Sequence, residues 1–292
     1  MICIDKPQDF TSFDIVAIAR KSAGTRKIGH GGTLDPMATG VLPLFVGRAA
    51  KTVDILPDEN KQYRAGFRLG AVSDTEDVWG AVTERSDKAV SREELEDVIH
   101  KFIGGIEQTP PMYSAVKVNG QRLYDIARSG GEIERAARKI TVYGIELISY
   151  DERHRSGELL IDCSKGTYIR TLIADIGKTL GVGGIMTALV RTRSAGFTLS
   201  DCIKLEELRE LSPEQLKARL IPTERLFDGC PTEILDGRQT RLFLNGTVPN
   251  ALAEKLCGAD GIIRIKDADG RFLGLVRANE NGAKPIYLEV TN

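Results

Sequence analysis

Gly29-His30-Gly31-Gly32-Thr33-Leu34-Asp35-Pro36-Met37-Ala38-Thr39-Gly40-Val41-Leu42-Pro43 is the stretch on which the reading of this chain turns. It sets one carboxylate, Asp35, among four glycines and two prolines, between Arg26-Lys27 and an apolar strand running to Val46. Glycine tolerates backbone conformations barred to other residues and lets a ligand approach the main chain. Pro36 fixes its own φ and pushes Asp35 toward an extended conformation, so the acid is presented by a stiffened turn. Such a turn suits a nucleophile or a proton carrier. Asp-Pro beside glycine is equally an ordinary turn signal, and these residue types alone leave both readings open.

Upstream of the loop, residues 1–5 read as a strand, followed by a helix from Thr11 or Ser12 to Ala23 that Gly24 stops. Downstream, residues 41–47 read as a buried strand. Lys61 to Leu69 alternate, with Tyr63, Ala65, Phe67 and Leu69 on one face. Gly70 to Gly80 is a polar loop containing Asp74, Glu76 and Asp77. Ser91-Arg92-Glu93-Glu94 is a capping box opening a helix through Phe102 that ends near Gly104-Gly105. Thr109-Pro110-Pro111 breaks the chain; Tyr113 to Val118 reads as a strand and Asn119-Gly120 as a turn. Strands at 139–150 and 158–164 precede a helix that begins near Thr167 and ends before Gly181. Ser212-Pro213-Glu214-Gln215 caps another.

After Asp228-Gly229-Cys230-Pro231 the pattern changes to a short helix at Asp236–Leu244 and strands at 261–266, 271–278 and 285–290. Residues 267–270 join the first two of these strands as a hairpin. The chain therefore divides into residues 1–229 and a small β-rich unit, 230–292. Helices and strands mix without a regular βαβ rhythm, which makes the fold class α+β.

Composition narrows the function classes. Apolar content of 41% with 30 glycines is that of a globular protein. No apolar run reaches the roughly 18 residues of a membrane span, and Met1 to Pro7 lacks the apolar stretch of a signal peptide. Five cysteines, no two within ten residues, suit neither a disulfide framework nor a zinc site. With three scattered histidines they point to no metal and to a reduced, cytoplasmic setting. A net charge of −1 requires any nucleic-acid footprint to be local. Residues 117–140 are one candidate, with Lys117, Arg122, Arg128, Arg135, Arg138 and Lys139 against three acids.

The loop around Asp35 closely resembles the catalytic motif of the tRNA pseudouridine synthase B family, which isomerises uridine 55 in the T-loop. The resemblance extends over nearly the whole chain. Ile4-Asp5-Lys6-Pro7 is similar to the family's N-terminal Lys-Pro element, Lys61-Gln62-Tyr63 to its second motif, and Cys163-Ser164-Lys165-Gly166-Thr167-Tyr168-Ile169-Arg170 to its third. Gln108 to Tyr143 resembles the mobile thumb insertion, placed at about 112–140, and the last 60 or so residues resemble a PUA-type RNA-binding domain.

The resemblance implies a mixed, largely antiparallel catalytic sheet with a PUA-like appendage. It also implies an isomerase needing no cofactor, consistent with the lack of any dinucleotide or phosphate-loop motif. Converting uridine to pseudouridine breaks an N–C bond and makes a C–C bond without net redox change. By resemblance Asp35 is the nucleophile; attack on the sugar, attack on the base ring and formation of a glycal all remain open. Tyr63 stacks on the target base and assists the final proton removal, and Arg170 pairs with and orients Asp35. Tyr168 and Leu189 line the base pocket. His30 fills the space left when the target nucleotide leaves the stack. The family's next residue is often Thr, where this chain has Gly31, a variation that would loosen the loop. Tyr63 and Leu189 also fit plain core positions, and Arg170 a surface ion pair.

Three activities fit this reading: a stand-alone synthase acting on the tRNA T-arm, a non-catalytic tRNA-folding protein, and a guide-dependent synthase inside a ribonucleoprotein. The intact Asp35, Tyr63 and Arg170 set and the thumb-like segment favour the first, a monomer with tRNA as partner, no obligatory protein partner and no membrane.

Overall fold

In a computed structural model, which describes residues 1–57, 59–118 and 120–289, a ten-stranded sheet organises the chain. Its main path runs Cys202–Lys204, Ile2–Lys6, Thr39–Val46, Gly184–Ser194, Lys61–Leu69, Ser156–Cys163, Arg138–Asp151, Gly104–Gln108. Two short strands, Ile28–His30 and Phe197–Thr198, flank this path. Pairing is antiparallel except where Ile2–Lys6 meets Cys202–Lys204 and where Thr39–Val46 meets Gly184–Ser194. The sheet is mixed and largely antiparallel, and the fold class is α+β.

The local signals act as their chemistry dictates. The Thr11 side chain accepts the Asp14 N–H while Asp14 accepts the Thr11 N–H, and the helix Ser12–Ala23 ends on Gly24 at φ +60°. Ser91 and Glu94 make the same reciprocal pair at the start of Arg92–His100. On Lys61–Leu69 the four residues of the apolar face are all buried, and they form one core with Leu172, Ile173 and Ile176 of the helix Ile169–Thr179. A second core joins Ile4, Ile15, Val16, Leu42 and Leu44.

Four expectations require correction. Tyr113 to Val118 is not a strand: only Lys117–Val118 pairs, with Gln121–Arg122. Asn119 of the expected turn lies outside the described residues, as does Val290 at the end of the last expected strand. The polar loop 70–80 contains a short strand, Ala71–Ser73, and a buried carboxylate, Asp77. The helix expected from Thr167 starts at Ile169 with Tyr168 as its cap. The cap is supplied from afar: Gln108 Oε1 accepts the Tyr168 N–H at 2.8 Å and Gln108 Nε2 donates to the Tyr168 carbonyl at 3.0 Å.

The strand Gly184–Ser194 has no counterpart among the sequence expectations, yet it sits at the middle of the sheet. It opens on three consecutive buried residues, Gly184 to Met186, and carries register shifts at Met186/Ala188 and Arg191/Arg193. A run of buried residues and bulges both erase the alternation that marks a strand.

Beyond residue 230, Thr232–Leu235, Gly261–Asp267, Phe272–Asn279 and Gly282–Leu288 form a separate four-stranded sheet with its own core around Leu235, Phe243, Ile265 and Val276. Phe227, Leu275 and Tyr287 pack with Ile55 and Leu56, seating this sheet on the larger body.

Candidate active site

The loop Gly31–Thr39 is held at almost every residue. Ser12, buried in the first helix, accepts the Leu34 N–H at 2.8 Å and donates to the Leu34 carbonyl at 3.2 Å. The Asp35 carbonyl accepts the Ala38 N–H at 3.0 Å, closing a tight turn over Pro36 and Met37, and the Pro36 carbonyl accepts the Asp9 N–H at 2.9 Å. These bonds present the Asp35 side chain at 40% exposure.

The Asp35 carboxylate meets Arg170. Arg170 Nε lies 3.1 Å from Asp35 Oδ2, and both of the other guanidinium nitrogens are engaged elsewhere. Nη1 donates to the Thr75 carbonyl at 2.8 Å and lies 3.5 Å from Asp77 Oδ2, while Nη2 donates to the Tyr113 carbonyl at 2.9 Å. Arg170 is buried, so this is no surface ion pair. An arginine whose three nitrogens each have a partner holds its carboxylate in one orientation.

The register of the central strands assembles the remaining residues. Arg191 pairs with Tyr63 on one side and with Gly40 on the other, and Leu189 pairs with Ala65. Gly40, at φ +101°, permits this close approach: a Cβ there would lie 2.3 Å from the Arg191 carbonyl oxygen. Tyr63 and Leu189 are both buried at the edge of the core. Burial raises the Tyr63 phenol above its ordinary pKa, with nearby Arg191 opposing the shift.

His30 ends the short strand Ile28–His30, and its Nδ1 accepts the Gly32 N–H at 3.3 Å. Burial, then the charge of Arg191, lowers its pKa, which favours the neutral ring. The ring of Tyr168 is half-buried at the helix cap. Gly31 does not loosen the loop: its N–H donates to the Pro43 carbonyl at 2.9 Å, and the Phe45 ring fills the space a Cβ would enter, 3.0 Å away.

Two cations without a role in the sequence reading prove central. Arg191 is wholly buried and donates to the carbonyls of Val41 (2.7 Å), Gly32 (3.1 Å) and Thr33 (3.4 Å), spanning both ends of the loop. Lys6, also wholly buried, donates to the carbonyls of Phe10 (2.7 Å), Pro7 (2.9 Å) and Pro36 (3.4 Å). Burial lowers the Lys6 pKa to about 8, with the negative charge of Asp35 opposing the drop. Among the described residues neither cation makes an ion pair with a carboxylate. Two buried positive charges, answered by carbonyl dipoles, thus lie beneath the loop that carries Asp35. Lys6 stood in the quoted Lys-Pro element; Arg191, in Val190-Arg191-Thr192-Arg193, reads in sequence like any solvated cation.

The whole chain superposes on a chain from the crystal structure of a Cbf5-Nop10-Gar1 complex with a TM-score of 0.72 and 27% identity, covering 83% of that chain. A chain from a structure of an H/ACA RNP bound to a substrate RNA containing 2'-deoxyuridine shares the fold, with a TM-score of 0.67 over 99% of this chain at 22% identity. A family model described as TruB family pseudouridylate synthase (N terminal domain) matches residues 20–169. One described as tRNA pseudouridylate synthase B C-terminal domain matches residues 170–228. Fold and site thus define a pseudouridine synthase.

Among curated relatives, tRNA pseudouridine synthase B of Clostridium tetani is 41% identical over 293 aligned residues, 99% of each chain. That of Aromatoleum aromaticum is 42% identical over 97% of this chain and 89% of its own. The chain belongs to the TruB family of tRNA pseudouridine synthases, isomerases that convert uridine in the T-loop of tRNA.

Proposed function

We propose that this enzyme isomerises uridine 55 of tRNA, with Asp35 as the group that acts on the flipped nucleoside. The observation that carries this is the Asp35 carboxylate on a hydrogen-bonded turn, 3.1 Å from a buried arginine that is itself anchored to two backbone carbonyls. In the reaction the N1–C1′ bond breaks and the C5–C1′ bond forms; C5 loses a proton and N1 gains one, so no electrons are transferred. A carboxylate serves this chemistry by covalent attack or by taking a sugar proton. Arg170 orients it, Tyr63 stacks on the base and takes part in the last proton transfer, and Tyr168 and Leu189 complete the pocket. His30, neutral and half-buried, replaces the stacking lost when the uridine leaves the T-loop, which offsets part of the flipping cost.

The accompanying organisation is a catalytic unit at 1–229 with the thumb at about 112–140, and a PUA-like unit at 230–292. The enzyme acts as a cytoplasmic monomer on the T-arm, without a guide or protein partner. Relatives of equal length and 41% identity support this reading over a ribonucleoprotein subunit.

Site-resolved mapping tests it. Unmodified tRNA transcript treated with enzyme, then with carbodiimide, should give a primer-extension stop at the T-loop uridine with wild type and none with Asp35→Asn, which should still bind tRNA. Turnover by Asp35→Asn would remove Asp35 from the chemistry. A stop elsewhere would change the substrate position.

A further inference from the structure

One wall of the site is the loop 73–80, and it carries the chain's single tryptophan. Trp79 is 50% exposed, and Val72, Val78 and Val82 around it in sequence are exposed too. A lone exposed apolar side chain needs no explanation. Trp79 differs because its backbone is held rigidly.

Asp77 Oδ1 accepts both the Trp79 N–H at 2.9 Å and the Thr75 hydroxyl at 2.7 Å, and Asp74 Oδ1 accepts the Ala81 N–H at 2.8 Å. At Gly80 a Cβ would lie 2.2 Å from Asp74 Oδ1, 2.3 Å from Thr75 Oγ1 and 2.4 Å from Ser73 Oγ, so the loop closes on itself there. The Met186 N–H donates to the Glu76 carbonyl and the Val78 N–H to the Met186 carbonyl, both at 3.0 Å, which fixes the loop to the central strand.

The same Asp77 that orients the Trp79 backbone lies 3.5 Å from Arg170, which holds Asp35. The Cα atoms of Asp77 and Trp79 are at most ~7 Å apart. The indole thus stands, exposed on a rigid support, two residues from the acid that backs Arg170, which in turn lies 3.1 Å from the Asp35 carboxylate.

The loop's charges select which part of an RNA it fits. Asp74, Glu76 and Asp77 are all committed internally, Glu76 to the Thr171 hydroxyl at 2.5 Å and the others as above. Three acids repel phosphate, while the indole offers a face to a base. Single-stranded RNA is read by stacking its unpaired bases on aromatic side chains, and a support already ordered before binding keeps the entropic cost low.

We propose that Trp79 is a stacking platform for an unpaired nucleobase of the tRNA substrate beside the uridine that leaves the stack. The proposal rests on the functional reading above.

Because Trp79 is the only tryptophan, its emission reports on this contact alone. Unmodified tRNA transcript is titrated into full-length Asp35→Asn protein, which does not consume it, and binding is followed in parallel by filter retention. The emission should quench and saturate with the retained fraction. In the Asp35→Asn background, Trp79→Ala should weaken tRNA binding about tenfold, and Trp79→Phe should restore most of the affinity. In the active enzyme the Trp79→Ala loss should fall on KM. Unchanged thermal unfolding of Trp79→Ala would show the loss to be one of contact, since the side chain is exposed. Emission that stays flat while tRNA is retained, or parental affinity in Trp79→Ala, overturns the stacking role and leaves the enzyme assignment standing. No retention of tRNA by the parent overturns both.

Discussion

The loop Gly31–Thr39 and the insertion at 112–137 both have little regular secondary structure, yet they spend their polar groups in opposite ways. The loop's carbonyls are taken by buried Arg191, Lys6 and Ser12, and the loop presents the Asp35 carboxylate, 40% exposed, to Arg170. In the insertion, Lys117, Arg122 and Arg128 are exposed and, among the described residues, unpaired with any carboxylate. Arg122 and Arg128 instead stand over the Tyr124 ring, 5.7 Å and 5.6 Å from its centroid. Its backbone rests on a few contacts such as Leu123 N–H to Val116 O at 2.8 Å and Tyr124 N–H to Ser114 O at 3.1 Å. A group that must meet a reacting atom gains from being fixed before the substrate arrives. Cations that meet a phosphate chain gain from remaining available, because their free energy comes from displacing counterions on binding.

Substitutions can break this contrast, the most damaging first. Asp35→Asn should lower pseudouridine formation at least ~10³-fold with tRNA binding retained, measured by carbodiimide mapping and filter retention. Arg191→Met should come next. It strips three carbonyls of their donor, which should cost about 2–4 kcal/mol of stability by urea unfolding and reduce kcat roughly 100-fold through misplacement of the loop. If Arg191→Met leaves kcat intact, the loop is not held from below and the contrast fails.

His30 supplies a pH test of intermediate size. Its folded pKa lies below the ordinary 6.5, so its contribution to stability is full above about 6.5 and is lost as pH falls through the folded value. The folding free energy should therefore decline from pH 7 toward 5, by at most ~1.4 kcal/mol per pH unit from this group. His30→Phe should flatten that part of the urea-denaturation profile. The insertion should give the smallest effect. Arg122→Ala should weaken tRNA binding a few-fold and reduce the slope of log affinity against log salt by about one, leaving kcat alone. A large kcat loss there would show that the insertion, too, positions the reacting groups.

What was legible beforehand divides along the same line. The helix start at Thr11 or Ser12, the capping box at Ser91, the alternation of Lys61–Leu69 and the Asp35-Pro36 turn are local devices, closed within a few residues, and each forms where the sequence puts it. The central strand Gly184–Ser194 escaped because a run of buried residues at its start and two bulges break the period. With it went Arg191, whose contacts lie 150 or more residues away in the chain. Asp77 looked like one more acid in a polar loop until the fold brought Arg170 to it.

The sequence by itself determined the family, through motifs matched along the chain, and with it the α+β class and the turn that presents the candidate carboxylate Asp35. The turn and the helix caps follow from residue types at fixed short spacing, where φ restrictions and side chain-to-backbone bonds act directly. Only the tertiary structure decided which cations are buried under the catalytic loop, which acid sits behind Arg170 and which face of the site carries an exposed indole. Burial and charge compensation belong to the neighbours a residue acquires on folding, and no side chain carries that information alone.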